Sequence, residues 1–112
     1  MQEVAQEKNT IILQFKTDGA LGDWDRLIAL EDTLIQAFSQ NDLAMVDGHD
    51  FGNGTANIFI FPRGSWKSAL TIIMAYLKHH NALDKVLIII RCKSGTYEVV
   101  WPEGFDGEFE KL

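Results

Sequence analysis

The sequence predicts an α+β domain with a mainly antiparallel five-stranded sheet and two helices on one face of it. Two observations carry this prediction. β-Rich and amphipathic segments alternate in the order strand, helix, strand, strand, helix, strand, and another strand pattern follows near the carboxyl end. This is the split β-α-β order of ferredoxin-like folds with an extra C-terminal strand. Right-handed crossovers then predict the sheet order 5-4-1-3-2.

The first two elements follow from residue type and periodicity. Residues 10–16 are β-branched and aromatic, which predicts a strand. Asp23 is the expected N-cap of a helix over residues 24–39. The inner stripe of that helix is apolar apart from one acid, and consists of Trp24, Leu27, Ile28, Glu31, Leu34, Ile35 and Phe38.

Residues 43–61 predict a hairpin with a glycine-punctuated loop at its centre. The loop holds Asp47, His49, Asp50 and Asn53, whose side chains commonly form the local hydrogen bonds of turns. We favour that structural role. The alternative is a small enzyme or ligand-binding protein that uses the Asp47-His49-Asp50 loop, with His49 as a general base oriented by Asp47 or Asp50.

The second half of the chain predicts a helix and two more strands. Ser65 is the expected cap of a helix over residues 65–80, and Asn81 is its expected stop. Residues 85–93 form an almost unbroken β-branched run, which predicts an interior strand, and residues 96–101 alternate as the fifth strand. We expect one domain over residues 1–112, with a flexible N-terminus at 1–9 and an acidic tail at 103–112 docked through Phe105 and Phe109.

One face of the predicted sheet carries no helix. We expect it to hold Ile12, Gln14, Lys16, Leu87, Ile89 and Arg91. A partly apolar face of this kind needs cover from the tail, from a partner or from a second copy of the chain. A homodimer through this face, in a homo-oligomerising regulatory domain, is therefore a further alternative.

Charge and composition narrow the classes of partner. Sixteen acidic and ten basic residues give a formal charge of −6, which disfavours nucleic-acid binding and favours basic proteins. The longest apolar run, residues 86–90, is too short to span a bilayer, and no secretory signal precedes the first strand, so we expect no membrane association and a cytoplasmic location. Cys92 is the single cysteine, and we expect neither a metal site nor a cofactor.

Three segments resemble small bacterial α/β proteins of uncharacterised function, a group that includes immunity proteins found beside toxins. They are Val46-Asp47-Gly48-His49-Asp50-Phe51-Gly52-Asn53-Gly54, Asn57-Ile58-Phe59-Ile60 and Val100-Trp101-Pro102-Glu103-Gly104. The resemblance extends over about half of the chain and implies a bacterial interaction protein without catalytic activity.

These observations together predict an acidic, non-enzymatic protein-binding module. The specific hypothesis is an immunity protein that neutralises a basic toxin domain, such as a nuclease, with acidic side chains in place of the substrate phosphates. The expected partner-binding residues are Asp18, Asp23, Trp24, Asp25, Asp32, Asp47, His49 and Asp50. For Trp24 alone, burial in the core is the favoured interpretation, with an interface anchor as the alternative.

Overall fold

A computed structural model describes residues 8–17, 21–52, 54–107 and 109, and shows an α+β fold with one five-stranded sheet and two helices. The strands are β1 (Lys8–Lys16), β2 (Ala44–Gly52), β3 (Thr55–Pro62), β4 (Val86–Cys92) and β5 (Tyr97–Trp101). They lie in the order β2-β3-β1-β4-β5, or 5-4-1-3-2 counted from the other edge. All four neighbouring pairs are antiparallel.

The two helices are α1 (Leu21–Ser39) and α2 (Trp66–His79). The predicted start of α1 is wrong, because the helix begins before Asp23 and that residue lies inside its first turn. The predicted ends of α2 are confirmed: the Ser65 hydroxyl accepts a hydrogen bond from the Ser68 amide, and Asn81 adopts a left-handed φ of 57° just after the helix.

Both helices pack on the same face of the sheet and share one core with it. Alternate residues of the central strands supply the sheet side of this core, including Ile11, Leu13, Ile58, Ile60, Ile88 and Ile90. The helices supply Leu27, Leu30, Leu34, Phe38, Ala69, Ile73 and Leu77. The interior position predicted for β4 is confirmed, since β4 pairs with β1 on one side and β5 on the other.

The central hairpin is present, but its loop is much shorter than predicted. β2 continues through Asp47, His49 and Asp50 to Gly52, and only residues 53–54 connect it to β3. Gly54, just before β3, has a φ of +80°, which glycine adopts without steric cost. The polar cluster assigned to a loop therefore lies in an edge strand.

The face without helices is closed at its centre within the single chain. Ile12 and Ile89 pair across β1 and β4 on this face and are each 1% exposed. At its β5 edge, the Phe109 ring lies 6.2 Å from that of Tyr97, and both Phe105 and Phe109 are half-buried. The Phe109–Tyr97 contact agrees with the predicted docking of the tail, which stays a prediction for Phe105. The expected N-terminal flexibility at 1–7 lies outside the described residues. Residues 8 and 9 belong to β1.

Candidate protein-binding surface

The most distinctive polar contact outside the backbone joins α1 to the edge strand β2. The Glu31 carboxylate lies against the His49 ring, with Nδ1 2.9 Å from Oε1 and 3.0 Å from Oε2. With Glu31 ionised, its carboxylate can only accept hydrogen bonds, so Nδ1–H is the donor in that state. The Glu31 side chain is 9% exposed and that of His49 is 26% exposed.

Two aromatic rings complete this contact. Trp24 stacks on Phe51 with a centroid separation of 4.7 Å and an interplanar angle of 28°, and its ring meets the His49 ring edge-on at 5.4 Å. Such pairs contribute about 0.5–1.5 kcal/mol beyond the area they bury. We call Trp24, Glu31, His49 and Phe51 the Trp24 cluster. It holds one large aromatic side chain in a fixed position at the edge of the sheet.

Helix geometry explains why Trp24 and Glu31 contact the same strand. They are seven residues apart, close to two helical turns, so they lie on one face of α1. Ile35 follows one turn later on that face and is 45% exposed. The predicted core role of Trp24 is wrong: it is 48% exposed, because the buried stripe of α1 centres on Leu27, Leu30 and Leu34.

A β-bulge decides which residues of β2 reach the cluster. Val46 pairs with Ile60 and Gly48 pairs with Phe59, so Asp47 is an extra residue that shifts the register. After the bulge, His49 lies opposite the core residue Ile58 and faces α1. The expectation that Asp47 or Asp50 orients His49 is wrong, because Glu31 does so.

Asp50 takes part in a different network on the opposite face of the sheet. Its Oδ1 accepts a hydrogen bond of 2.9 Å from the Asn57 amide, and the Asn57 carbonyl oxygen accepts one of 3.0 Å from the Gln14 amide. Asn57 is 1% exposed and Gln14 is 4% exposed, so this hydrogen bond joins two buried amides. Asp50 is thereby separated from His49 by the thickness of the sheet.

The other acids expected to bind a partner are partly brought together. Asp25 and Asp32 are exposed and seven residues apart on α1, each one position after a member of the Trp24 cluster. Asp47 is exposed at the bulge. Asp18 and the side chain of Asp23 lie outside the described part of the chain.

Sequence reasoning missed Glu31 and Phe51 as members of the cluster. One clue was present for Glu31, because it is the only acid on an otherwise apolar helical stripe, and a carboxylate that becomes buried there needs a partner. Phe51 lies two residues after His49 in β2, so the two side chains share one face of the strand. This relation could not be seen while the segment was expected to be a loop.

Two cavities are described, and neither has His49 in its lining. One, of about 660 Å³, lies between α1 and α2 and is lined by Asp32, Gln36, Ile72 and Tyr76 among others. The other, of about 280 Å³, lies at the end of β1.

Within the described ranges, no three His, Cys, Asp or Glu side chains are grouped so that they could hold a metal ion. In the same ranges, neither helix has the length and apolar character needed to cross a membrane.

Comparisons with protein-family models, with curated proteins and with solved structures yield no match to this chain.

Proposed function

We propose that the chain is an acidic, non-enzymatic protein-binding module, specifically an immunity-type protein that occludes a basic toxin domain such as a nuclease. The observation that carries this proposal is the Trp24 cluster. A tryptophan that is about half exposed while its ring is fixed by two aromatic contacts is the kind of side chain that dominates binding energy at protein interfaces.

The free-energy cost of association is also lower because the Trp24 ring is already held in place before a partner binds. Immobilising a side chain at an interface costs about 0.5–1.5 kcal/mol, and that cost is reduced where the ring is already stacked. The buried Glu31 holds His49, and His49 with Phe51 holds Trp24. Ile35 extends the apolar area along α1.

The charge around the cluster favours a basic partner. Asp25, Asp32 and Asp47 are exposed on the two elements that form the cluster, and the whole chain carries a formal charge of −6. Acidic side chains of this kind speed the encounter with a positively charged protein and repel nucleic acid from the same site. A nuclease domain, which must be basic to hold phosphates, is the partner class that this surface suits best.

Three further assignments belong to this proposal. The antiparallel sheet with order β2-β3-β1-β4-β5 and two helices on one face supports a ferredoxin-like arrangement in which β5 is the added strand. The resemblance of three segments to small bacterial immunity-like proteins supports the partner class. A cytoplasmic site of action, where a toxin nuclease would meet its substrate, is part of the same hypothesis.

The test begins by capturing a partner and then measures how the Trp24 cluster contributes. The immobilised chain is incubated with host-cell lysate, bound protein is eluted with rising NaCl, and the partner is identified, purified and assayed for Kd and for nuclease activity. We expect a basic partner whose nuclease activity the chain inhibits. Trp24→Ala should weaken Kd by about 30-fold or more, as removal of a hot-spot residue does.

The matched control is Trp66→Ala, which removes a half-buried tryptophan at the start of α2, away from the cluster. Both variants are used at a temperature where circular dichroism shows them folded. Equal losses of affinity in the two variants would show that the Trp24 cluster is not the binding surface. A partner without basic character, or an association rate that does not fall with salt, would refute the electrostatic part of the proposal.

A second candidate function rests on the Glu31–His49 contact itself. A histidine whose Nδ1 lies against a carboxylate has the orienting contact that general bases use. Hydrolysis of p-nitrophenyl acetate provides a probe, with His79→Gln as the control for a surface histidine. If the wild-type rate does not exceed that of His49→Gln, this candidate is removed.

A further inference from the structure

One long edge of the sheet is open. β2 is an outermost strand of nine residues, and in the described ranges it pairs with β3 alone. The opposite edge strand, β5, has five residues, and its Tyr97 contacts Phe109 of the tail. The N–H and C=O groups along the free side of an edge strand form a template for another strand. β2 is the edge that offers such a template here.

The direction of the peptide groups in β3 shows which residues of β2 bond to it. The Thr17 amide donates a hydrogen bond of 2.8 Å to the Gly54 carbonyl, so the peptide groups of Gly54 face β1. These groups alternate in direction along a strand, so those of Asn57, three positions later, face β2. The partner of Asn57 in the register is Asp50. Asp50 is therefore hydrogen-bonded to β3 through its backbone.

The residues on either side of Asp50 face the other way. His49 and Phe51 point their backbone N–H and C=O groups to the open edge. Before the bulge, the Leu43 carbonyl accepts a hydrogen bond of 2.9 Å from the first amide after β3, so Ala44, the next residue, also faces outward. The open edge thus presents backbone donors and acceptors on both sides of the bulge.

The side chains beside this edge differ between the two faces of the sheet. On the helix face, Trp24 and Ile35 of α1 are about half exposed. On the opposite face Asp50 is exposed, and Asp47 is exposed at the bulge. Side chains of a strand alternate between the two faces, so an added strand would meet apolar groups at every second position and an acid on its other face.

Charge decides which kind of strand fits. A second copy of β2 would bring another Asp47 and another Asp50 to the same edge, and like charges on paired strands destabilise a sheet. A bulge also discourages two identical edges from pairing. A strand with Lys or Arg at alternate positions has the opposite effect, because each basic side chain comes close to an acid.

We infer that a partner binds this chain by adding an extended strand antiparallel to β2, and that this strand alternates apolar with basic residues. Its apolar residues lie opposite His49 and Phe51 and contact Trp24, and its basic residues lie on the other face beside Asp50. The antiparallel direction is that of every other pair in the sheet. This mode of binding rests on the proposed function for the identity of the partner, and adds which part of the partner is bound.

The probe is a blocked peptide of alternating valine and lysine, as long as β2, titrated into the full chain. One derivative carries N-methyl groups on its valine nitrogens and another on its lysine nitrogens. In an antiparallel pair, the residues opposite His49 and Phe51 direct their amides to β2, and these are the valines. We expect saturable binding of the parent peptide. Methylation of the valines should raise Kd at least tenfold, as the loss of several hydrogen bonds does, and methylation of the lysines should change Kd less than about twofold.

Amide exchange gives a second readout from the chain itself. In the free chain, the amides of His49 and Phe51 should exchange faster than that of Asp50, and saturating peptide should slow those two amides at least tenfold. Asp50→Asn keeps the oxygen that accepts from Asn57 but loses the charge, and should raise Kd about threefold. The matched control is Asp84→Asn, an exposed acid just before β4, which should leave Kd unchanged.

Four results would each overturn the inference: no saturable binding of the parent peptide, a valine-methylated derivative that binds as well as the lysine-methylated one, an amide of His49 whose exchange the peptide does not slow, or equal effects of Asp50→Asn and Asp84→Asn. A dimer of the free chain that the peptide dissociates would also overturn it, because a second copy would then occupy the edge. The proposed function fails separately, when the lysate yields no basic partner although the peptide behaves as expected.

Discussion

Removal of either partner of the Glu31–His49 pair should destabilise the fold, and the two losses should not add. The Glu31 side chain is 9% exposed, so His49→Ala leaves a buried carboxylate without its hydrogen-bond donor. Such unpaired buried charges cost about 3–5 kcal/mol, and the partial exposure of His49 places the expected loss at about 3 kcal/mol. Glu31→Ala should cost about 2 kcal/mol, the value of a charge-assisted hydrogen bond.

The double variant should cost no more than about 3 kcal/mol, less than the about 5 kcal/mol that additivity gives, because Glu31→Ala also removes the carboxylate that His49→Ala leaves unpaired. Replacement of both by apolar residues, as in Glu31→Leu with His49→Phe, should bring stability to within about 1 kcal/mol of the wild type, because neither partner is then left without the other. Urea unfolding followed by circular dichroism measures these free energies, provided that the slope with denaturant stays constant.

Asp32→Ala is the matched control, since it removes an exposed acid one position from Glu31 and should change stability by less than about 0.5 kcal/mol. Losses below about 0.5 kcal/mol in both single variants would refute the argument that this contact supports the fold. Strict additivity in the double variant would show that the two side chains do not interact, whatever their separation.

Three other predictions concern the sheet. Asn57→Ala should cost about 2–3 kcal/mol in urea unfolding, because it removes the buried hydrogen bonds that Asn57 makes with Gln14 and Asp50. Gly54→Ala should cost about 1 kcal/mol by the same measurement because of its positive φ, whereas Gly64→Ala, whose added methyl group meets nothing within 4 Å, should be neutral within about 0.5 kcal/mol. Light scattering should give the 12.6 kDa monomer, since the centre of the sheet face without helices is already buried.

Each of these predictions has an outcome that contradicts it. A stability loss below about 0.5 kcal/mol for Asn57→Ala would mean that the buried amide network contributes little. Equal effects of the two glycine substitutions would remove the argument from backbone conformation. A stable dimer would contradict the expected monomer and favour the alternative of a homo-oligomerising domain.

The parts of the fold that were predictable are those specified by local patterns. β-Branched runs located β1 and β4, and the serine cap located the start of α2, because these features depend on neighbouring residues. The loop proposed around Asp47 and His49 failed because three glycines within seven residues suggested a break. In the structure, Gly48 instead sits beside a bulge within a continuous strand.

The candidate site was predictable only in part, since it depends on tertiary packing. Trp24 and His49 were both identified from sequence, but their contact arises from the way α1 lies across β2. The Glu31–His49 pair joins residues 18 apart in sequence, and the bulge decides which face His49 takes. No periodicity within a single element contains that information.

The most direct test of the proposed function is a footprint of the captured partner on this chain. Amide and tryptophan indole resonances are recorded with and without the basic partner at low and at moderate salt. We predict that changes centre on the Trp24 indole, His49 and the exposed face of α1, and that they weaken as salt rises. A footprint centred on α2 or on β5, with the Trp24 indole unchanged, would contradict the account.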